Sequence, residues 1–214
     1  AHTDSIARRL QIDPIALRKK QLSKQMIVEA DGQPVKSNEL IQCLDKGSAA
    51  FAWQKRRKSA GLVSGHKVRG SGMAVCYFHS GVYPVLPEMS AVKLHINTDG
   101  RVQIFSSVVD FGQGADTVLV QMASETLGIA EEKISIIARR DTDNNPYDNG
   151  AYASRQSFCT GWAIRTAAEQ LRQKLDGLLA AGLPIPAGGL TEEADININK
   201  NAFSFGTSFA EIEV

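Results

Sequence analysis

Cysteine is scarce in this chain of 214 residues: Cys43, Cys76 and Cys159 are odd in number and far apart. With no C-x-x-C pair, the chain offers neither a zinc knuckle nor an iron–sulfur nest of its own. Histidine is equally thin. His2, His66, His79 and His95 are scattered, none pairs with a carboxylate at metal-ligand spacing, and each reads as structural, so no metal ligand is expected. An excess of one charge is also missing, since 24 basic and 23 acidic residues leave a net +1. That balance points to neither nucleic acid nor a membrane surface as partner. No apolar run approaches the ~20 residues of a membrane span; the nearest, Leu178 to Leu183, is broken by Gly182. A basic-then-apolar leader is absent from the start. A reduced, cytoplasmic setting is the expectation.

What remains is an ordinary globular balance, 43% hydrophobic and 22% charged. The length suits one large domain or two small ones sharing a core. The basic cluster Lys55-Arg56-Arg57-Lys58 continues a polar helix end and reads as a solvated face. The chain opens without Met on a helical pattern and stops on the alternating Glu211-Ile212-Glu213-Val214, which suggests an excised domain or a split subunit.

Periodicity predicts a helical segment over 1–58 and a mixed α+β domain over 59–214, truncated at its C-terminus. Thr3 or Asp4 caps a first short helix; Pro14 opens a second, to Leu22, and a third covers Ser37 to Gln54. His66 to Tyr83 reads as a strand and loop. Val92, Leu94 and Ile96 alternate with polar residues up to Asp99-Gly100, which predicts a two-residue hairpin turn and a return strand over Val102–Val109. A helix over Ala115–Thr126, a strand over Lys133–Ala138, a polar loop over Asp141–Ala151 and a long helix over Gln156–Leu179 follow. Pro184 to Thr191 reads as a linker and Ala202 to Val214 as extended. No internal repeat occurs, which excludes solenoids and propellers.

Two loops carry the chemistry. In Asp110-Phe111-Gly112-Gln113-Gly114, glycines flank a side chain that both donates and accepts, and free N–H groups of the following helix suit an anion. In Gly150-Ala151-Tyr152-Ala153-Ser154-Arg155-Gln156, Ser154 can cap a helix and Arg155 can add a fixed charge for a phosphate. Either loop alone is equally well a plain turn or a capped helix. Two such helix starts in one domain favour a shared anionic, polar cofactor. Other patterns carry less: Asp110-Phe111-Gly112 lacks every companion kinase motif, Gly70-Ser71-Gly72 does not continue as a dinucleotide loop, and Asp141, Asp143 and Asp148 lack calcium-loop spacing. No nucleophile triad or carboxylate pair can be assembled.

The run Asp110 to Thr117, with Gln121 and Leu127-Gly128-Ile129, resembles the G-Q-G-x-x-T segment of the molybdenum hydroxylases, the xanthine dehydrogenase and aldehyde oxidase family. Asp141-Thr142, Pro146, Asp148, Gly150, Ala153-Ser154-Arg155 and Gly161 resemble that family's later D-T…G…A-S-R…G segment. The opening, Asp4-x-x-Ala7 with Ile12-Asp13-Pro14 and Arg18, is similar to the start of its second cofactor-binding half. Order and spacing agree over about residues 1 to 180.

The resemblance implies a domain that clasps a molybdopterin, free or as its cytosine dinucleotide. The enzyme it implies hydroxylates a purine, N-heterocycle or aldehyde with water as the oxygen source, most nearly of the xanthine dehydrogenase type. Gln113 would lie by the metal's oxo ligand, with Phe111, Gly112 and Gly114 beside it. Ala153, Ser154, Arg155 and Gln156 would hold the pterin and its phosphate. Val82 and Tyr83 fall where the family builds a substrate-pocket wall, Val82 replacing the aromatic of xanthine oxidases. Iron–sulfur and FAD groups would sit in partner domains or subunits, beside the remaining half of the molybdopterin subunit.

The sequence also departs from the family. The catalytic Glu of its later G-E motif lies outside this chain, so no catalytic residue is expected here. The Gly-Phe-Gly-Gly stretch and positioning Arg of the first half are absent too, and Gln21 stands where Asn is usual. The fragment alone is therefore expected to be inactive. The alternatives are a non-catalytic assembly or scaffold domain that kept the fold without the cofactor, and a generic phosphate-binding module.

Overall fold

The computed structural model describes residues 2–22, 32, 39–137 and 141–214. Two compact units emerge, residues 1–78 with 203–214, and residues 79–202. The segment expected as helical, 1–58, lies wholly inside the first unit, which also takes in strands from beyond residue 59.

The first unit holds α1 (His2–Arg9), α2 (Pro14–Leu22), α3 (Leu40–Ala50), α4 (Trp53–Lys58), β1 (Gly61–Ser64), β2 (Lys67–Ser80, which runs on into the second unit) and the final strand, with β2 between the other two. Asp13 starts α2 by accepting the Ile15 N–H at 2.8 Å. The single helix expected to reach Gln54 is broken, because Ala52 takes a left-handed conformation, φ 53°. That costs an alanine about 1–2 kcal/mol. In return the chain turns so that Trp53 is buried and its indole N–H reaches Asp13 at 3.0 Å. The expected helix start at Ser37 and strand end at Ala138 lie outside the described residues.

The second unit runs β3 (Glu88–Ile96), β4 (Val102–Phe105), α5 (Ala115–Leu127), a 3-10 turn (Glu131–Lys133), β5 (Ile134–Ile137), α6 (Gln156–Ala180) and β6 (Leu190–Ile198); β7 (Ala202–Glu213) then completes the first unit's sheet. Its sheet order is β5-β4-β3-β6, with β3 antiparallel to both neighbours and β4 parallel to β5. The expected β3–β4 hairpin forms, with Leu94 opposite Ile104 and Ile96 opposite Val102. Its loop differs from the expected two-residue turn. Asn97 and Arg101 close the ladder around Thr98-Asp99-Gly100, with Gly100 at φ 79°. This is the three-residue loop in which glycine supplies the left-handed position.

β6 was not foreseen, yet it pairs with β3 along its whole length. Leu190, Glu192, Ala194, Ile196 and Ile198 alternate inward, but the acidic and amide residues between them hide the pattern. Helices α5 and α6 pack together, and α6 lies against β3 and β6. Val92, Leu94, Ile104, Leu119, Ile164 and Leu171 form the fully buried centre. Each contributes roughly 1.5–3 kcal/mol of burial. Gly161 lets the helices meet, since a Cβ there would lie 2.6 Å from Met122 Sδ. The parallel β4–α5–β5 crossover carries the loop 106–114 at the carboxyl end of β4, where open sheets receive ligands.

Candidate cofactor-binding site

All site residues foreseen from sequence lie in the second unit. The start of α5 differs from the expected anion site. Asp110 turns its carboxylate onto its own loop, accepting from Gly112 N–H at 2.8 Å, Gly114 N–H at 3.4 Å and Asp116 N–H at 3.1 Å. These bonds, chiefly those from Gly112 and Asp116, hold its pKa below the ordinary aspartate value. The Asp116 amide in the first turn of α5 is thus taken by the protein's own carboxylate. Gly112 (φ 111°) and Gly114 (φ 78°) serve this wrap, which a side chain at either position would strain.

Gln113 is the exposed tip. Its Oε1 accepts the Phe111 N–H at 2.8 Å, and its Nε2 donates to Val109 O at 3.1 Å and to Gln156 Oε1 at 2.7 Å. Gln156 Nε2 donates to the same Val109 carbonyl at 3.1 Å. Two loops more than forty residues apart are thereby joined side chain to side chain. Between them lies a hollow of about 360 Å³ lined by Phe111, Gln113, Ala151 to Gln156 and Ser157. Gly112 and Gly114 shape the loop but are not among the lining residues. Phe111 stands 70% exposed.

The second loop also departs from expectation. Ser154 does not cap α6; Ala153 (φ 43°) and Ser154 (φ 52°) are both left-handed, Arg155 occupies the cap position, and no side chain there bonds the helix amides. The first-turn donors, the N–H groups of Gln156, Ser157 and Phe158, are those the helix itself leaves unpaired. Arg155 is no free phosphate ligand. It is fully buried, with Nε on Glu88, Nη1 on Asp148 Oδ1 at 2.8 Å and Gly150 O at 2.9 Å, and Nη2 on Met89 O. Burial opposes its charge, but Asp148 and Glu88 outweigh that and hold its pKa above the usual value. Asp148 also accepts from Ser90 and, at 3.2 Å, from Thr160. The guanidinium fixes the loop from beneath.

The loop bearing Val82 and Tyr83 is tied to the same place. Gly81 N–H donates to Ala153 O at 2.9 Å, Val82 N–H to Glu88, and Tyr83 O accepts from Asn201 at 2.8 Å. Glu88 gave no sequence signal, because it reads as one more polar residue at a strand start. Asp148 stood among loop residues, although the run up to Arg155 held the clue. No group of three His, Cys, Asp or Glu able to hold a metal occurs among the described residues.

A family model described as the molybdopterin cofactor-binding domain matches residues 46–212. The chain belongs to that family. It is 37% identical over 193 residues to the xanthine dehydrogenase molybdenum-binding subunit of Escherichia coli O157:H7, covering 88% of this chain and 25% of that protein. An aldehyde oxidoreductase of Megalodesulfovibrio gigas is 31% identical over 173 residues, 78% of this chain and 18% of its own. Among solved structures, the aldehyde oxidoreductase of Desulfovibrio desulfuricans superposes with a TM-score of 0.75 at 25% identity, over 99% of this chain and 25% of that one. The CO dehydrogenase of Oligotropha carboxidovorans shares the fold, with a TM-score of 0.75 at 19% identity, over 99% of this chain and 33% of that one. The chain thus spans about a quarter of the length of the first two xanthine dehydrogenase relatives. No helix among the described residues is long and apolar enough to cross a membrane.

Proposed function

We propose that the hollow between Gln113 and the start of α6 forms part of the molybdopterin site of a molybdenum hydroxylase, of the xanthine dehydrogenase type, within a larger assembly. The observation that carries the reading is the Gln113–Gln156 bridge, which brings both loops to one hollow. Its donors are neutral side-chain amides and first-turn N–H groups, with Arg155 locked away below. Such a set fits a polar, anionic pterin held by hydrogen bonds rather than by a counter-charge.

In this reading Gln113 and Gln156 open their mutual bridge to orient the cofactor, and the α6 amides take its phosphate, or that of an attached cytidine nucleotide. Phe111 covers an edge and excludes water, and Val82 with Tyr83 borders the substrate. The bound molybdenum centre supplies the redox chemistry by which a purine, N-heterocycle or aldehyde carbon gains a hydroxyl from water. The rest of the subunit supplies the catalytic carboxylate, and iron–sulfur and flavin partners remove the electrons. This chain orients and shields.

The test is molybdenum analysis and pterin fluorescence on the purified assembly, for the wild type and the Gln113→Ala/Gln156→Ala variant. Both signals are expected in the wild type, falling roughly tenfold in the variant, the scale of loss when groups that orient a metal site are removed. A wild-type assembly carrying neither metal nor pterin would overturn the proposal in favour of a scaffold that kept only the fold.

A further inference from the structure

Glu88 has no exposed surface, and its two carboxylate oxygens face in different directions. Oε1 accepts the Val82 N–H; Oε2 accepts Arg155 Nε, with the Tyr152 hydroxyl 3.5 Å and the Cys159 thiol 3.9 Å away. Gly81 leaves no room for a side chain here, as its Cβ would lie 2.8 Å from Oε1. A second link runs in parallel, from Gly81 N–H to Ala153 O at 2.9 Å. One buried carboxylate therefore touches both the loop that borders the hollow and the wall containing Val82. The Arg155 end also sets the two left-handed residues before α6, since its Nη1 grips Gly150 O and Asp148 on their far side.

We infer that Glu88 is a positioning residue that locks the Val82 wall to the cofactor loop, so that the two are set as one piece. The inference rests on the proposed molybdopterin site and adds a residue that touches neither cofactor nor substrate. A buried carboxylate held by one charged and one neutral donor is sensitive to which donor it loses. In Glu88→Gln, the single oxygen goes to the charged guanidinium, the stronger donor. The new NH2 then confronts the Val82 N–H. Glu88→Ala removes both acceptors.

The test uses the complete assembly with wild type, Glu88→Gln and Glu88→Ala, read by molybdenum and pterin content per protomer and by amide hydrogen exchange over residues 81–85. Glu88→Ala should lose roughly tenfold in cofactor content. Glu88→Gln should keep that content within about twofold, while its 81–85 amides exchange about tenfold faster, the scale of one lost hydrogen bond. With xanthine as the probe, any turnover should show a raised KM at little-changed kcat per molybdenum in Glu88→Gln.

Full cofactor content in Glu88→Ala overturns the inference. So does unchanged exchange over 81–85 in Glu88→Gln, or an equal loss of cofactor in both variants, which is what a merely structural carboxylate gives. If Glu88→Ala fails to fold, the Glu88→Gln exchange result decides. Absence of metal and pterin from the wild type removes the proposed function itself, and this inference with it.

Discussion

Gln113 and Gln156 share one acceptor as well as a direct bond: both Nε2 atoms donate to Val109 O at 3.1 Å, and Gln113 reaches Gln156 Oε1 at 2.7 Å. A neutral hydrogen bond at an exposed position contributes about 0.5–1.5 kcal/mol net. Alanine at either position should therefore cost about 1 kcal/mol or less in urea unfolding. The double variant should cost less than the sum of the two, because the second substitution has no bridge left to break. Strictly additive losses would mean that the bridge does not form in solution.

Arg155 carries a much larger weight. Removing it leaves the buried carboxylates of Glu88 and Asp148 facing each other without a counter-charge. Breaking a buried pair in this way costs about 3–5 kcal/mol. Arg155→Met should lower stability by that order in chemical denaturation, and Arg155→Lys should recover only part of it. A point ammonium cannot span Glu88, Asp148, Gly150 O and Met89 O as the planar fork does. A neutral outcome for Arg155→Met would show the guanidinium to be dispensable.

These two residues also show what the sequence could and could not disclose. The hairpin of β3 and β4, the α5 and α6 helices and the two loops were legible because period, turn residues and order are local properties. That Gln113 meets Gln156 is a tertiary fact, anticipated through two helix starts sharing one domain and through the family resemblance that sets both loops on one cofactor. The direction of Arg155 was not legible. From the string Ala153-Ser154-Arg155 an outward cation and an inward one look alike, and the choice is made by Glu88, 67 positions earlier. Asp110 misled for a related reason. Its capping of its own loop depends on the positive φ of Gly112 and Gly114, which glycine permits but does not demand. Strand β6 was hidden because its outward residues are so polar that the inward alternation does not stand out.

Cys159 should be chemically silent in the folded protein. Burial pushes its thiol up to about 11; Arg155 pulls the other way, and the Glu88 charge adds to the rise. A thiol reagent at pH 8 needs thiolate and access, and this site offers neither. Titration of the native chain should find the exposed Cys76 fast, the partly buried Cys43 slower and Cys159 only after denaturant. The sign for stability follows from the shift. The unfolded thiol ionises first, so stability is lost as pH rises above the ordinary 9.0 toward 11. A Cys159→Ala variant should not show that alkaline component. Rapid native labelling at Cys159 would contradict the buried placement.

Asp110 and Asp116 pull the acid limb of stability in opposite directions. Asp110 is held low by its backbone donors, so its ionised form favours the fold. Its contribution is full above the ordinary aspartate value and fades as pH falls through the depressed one. Asp116 is raised, first by burial and then by the charge of Asp110, and its Oδ1 is buried without a partner. Its ionisation therefore works against the fold, and that penalty appears as pH rises through its ordinary value to its raised one. Asp110→Asn should weaken the protein at pH 7 and flatten the stability profile below about pH 4, near the usual aspartate pKa. Asp116→Asn should be neutral or stabilising at pH 7, with any gain vanishing in acid where both forms are uncharged. Unfolding midpoints measured from pH 2 to 7 for the two variants separate these signs. A loss at pH 7 in Asp116→Asn as large as that in Asp110→Asn would show that the Asp116 carboxylate has a partner in solution, and that the loop before α5 is built on two anchors instead of one.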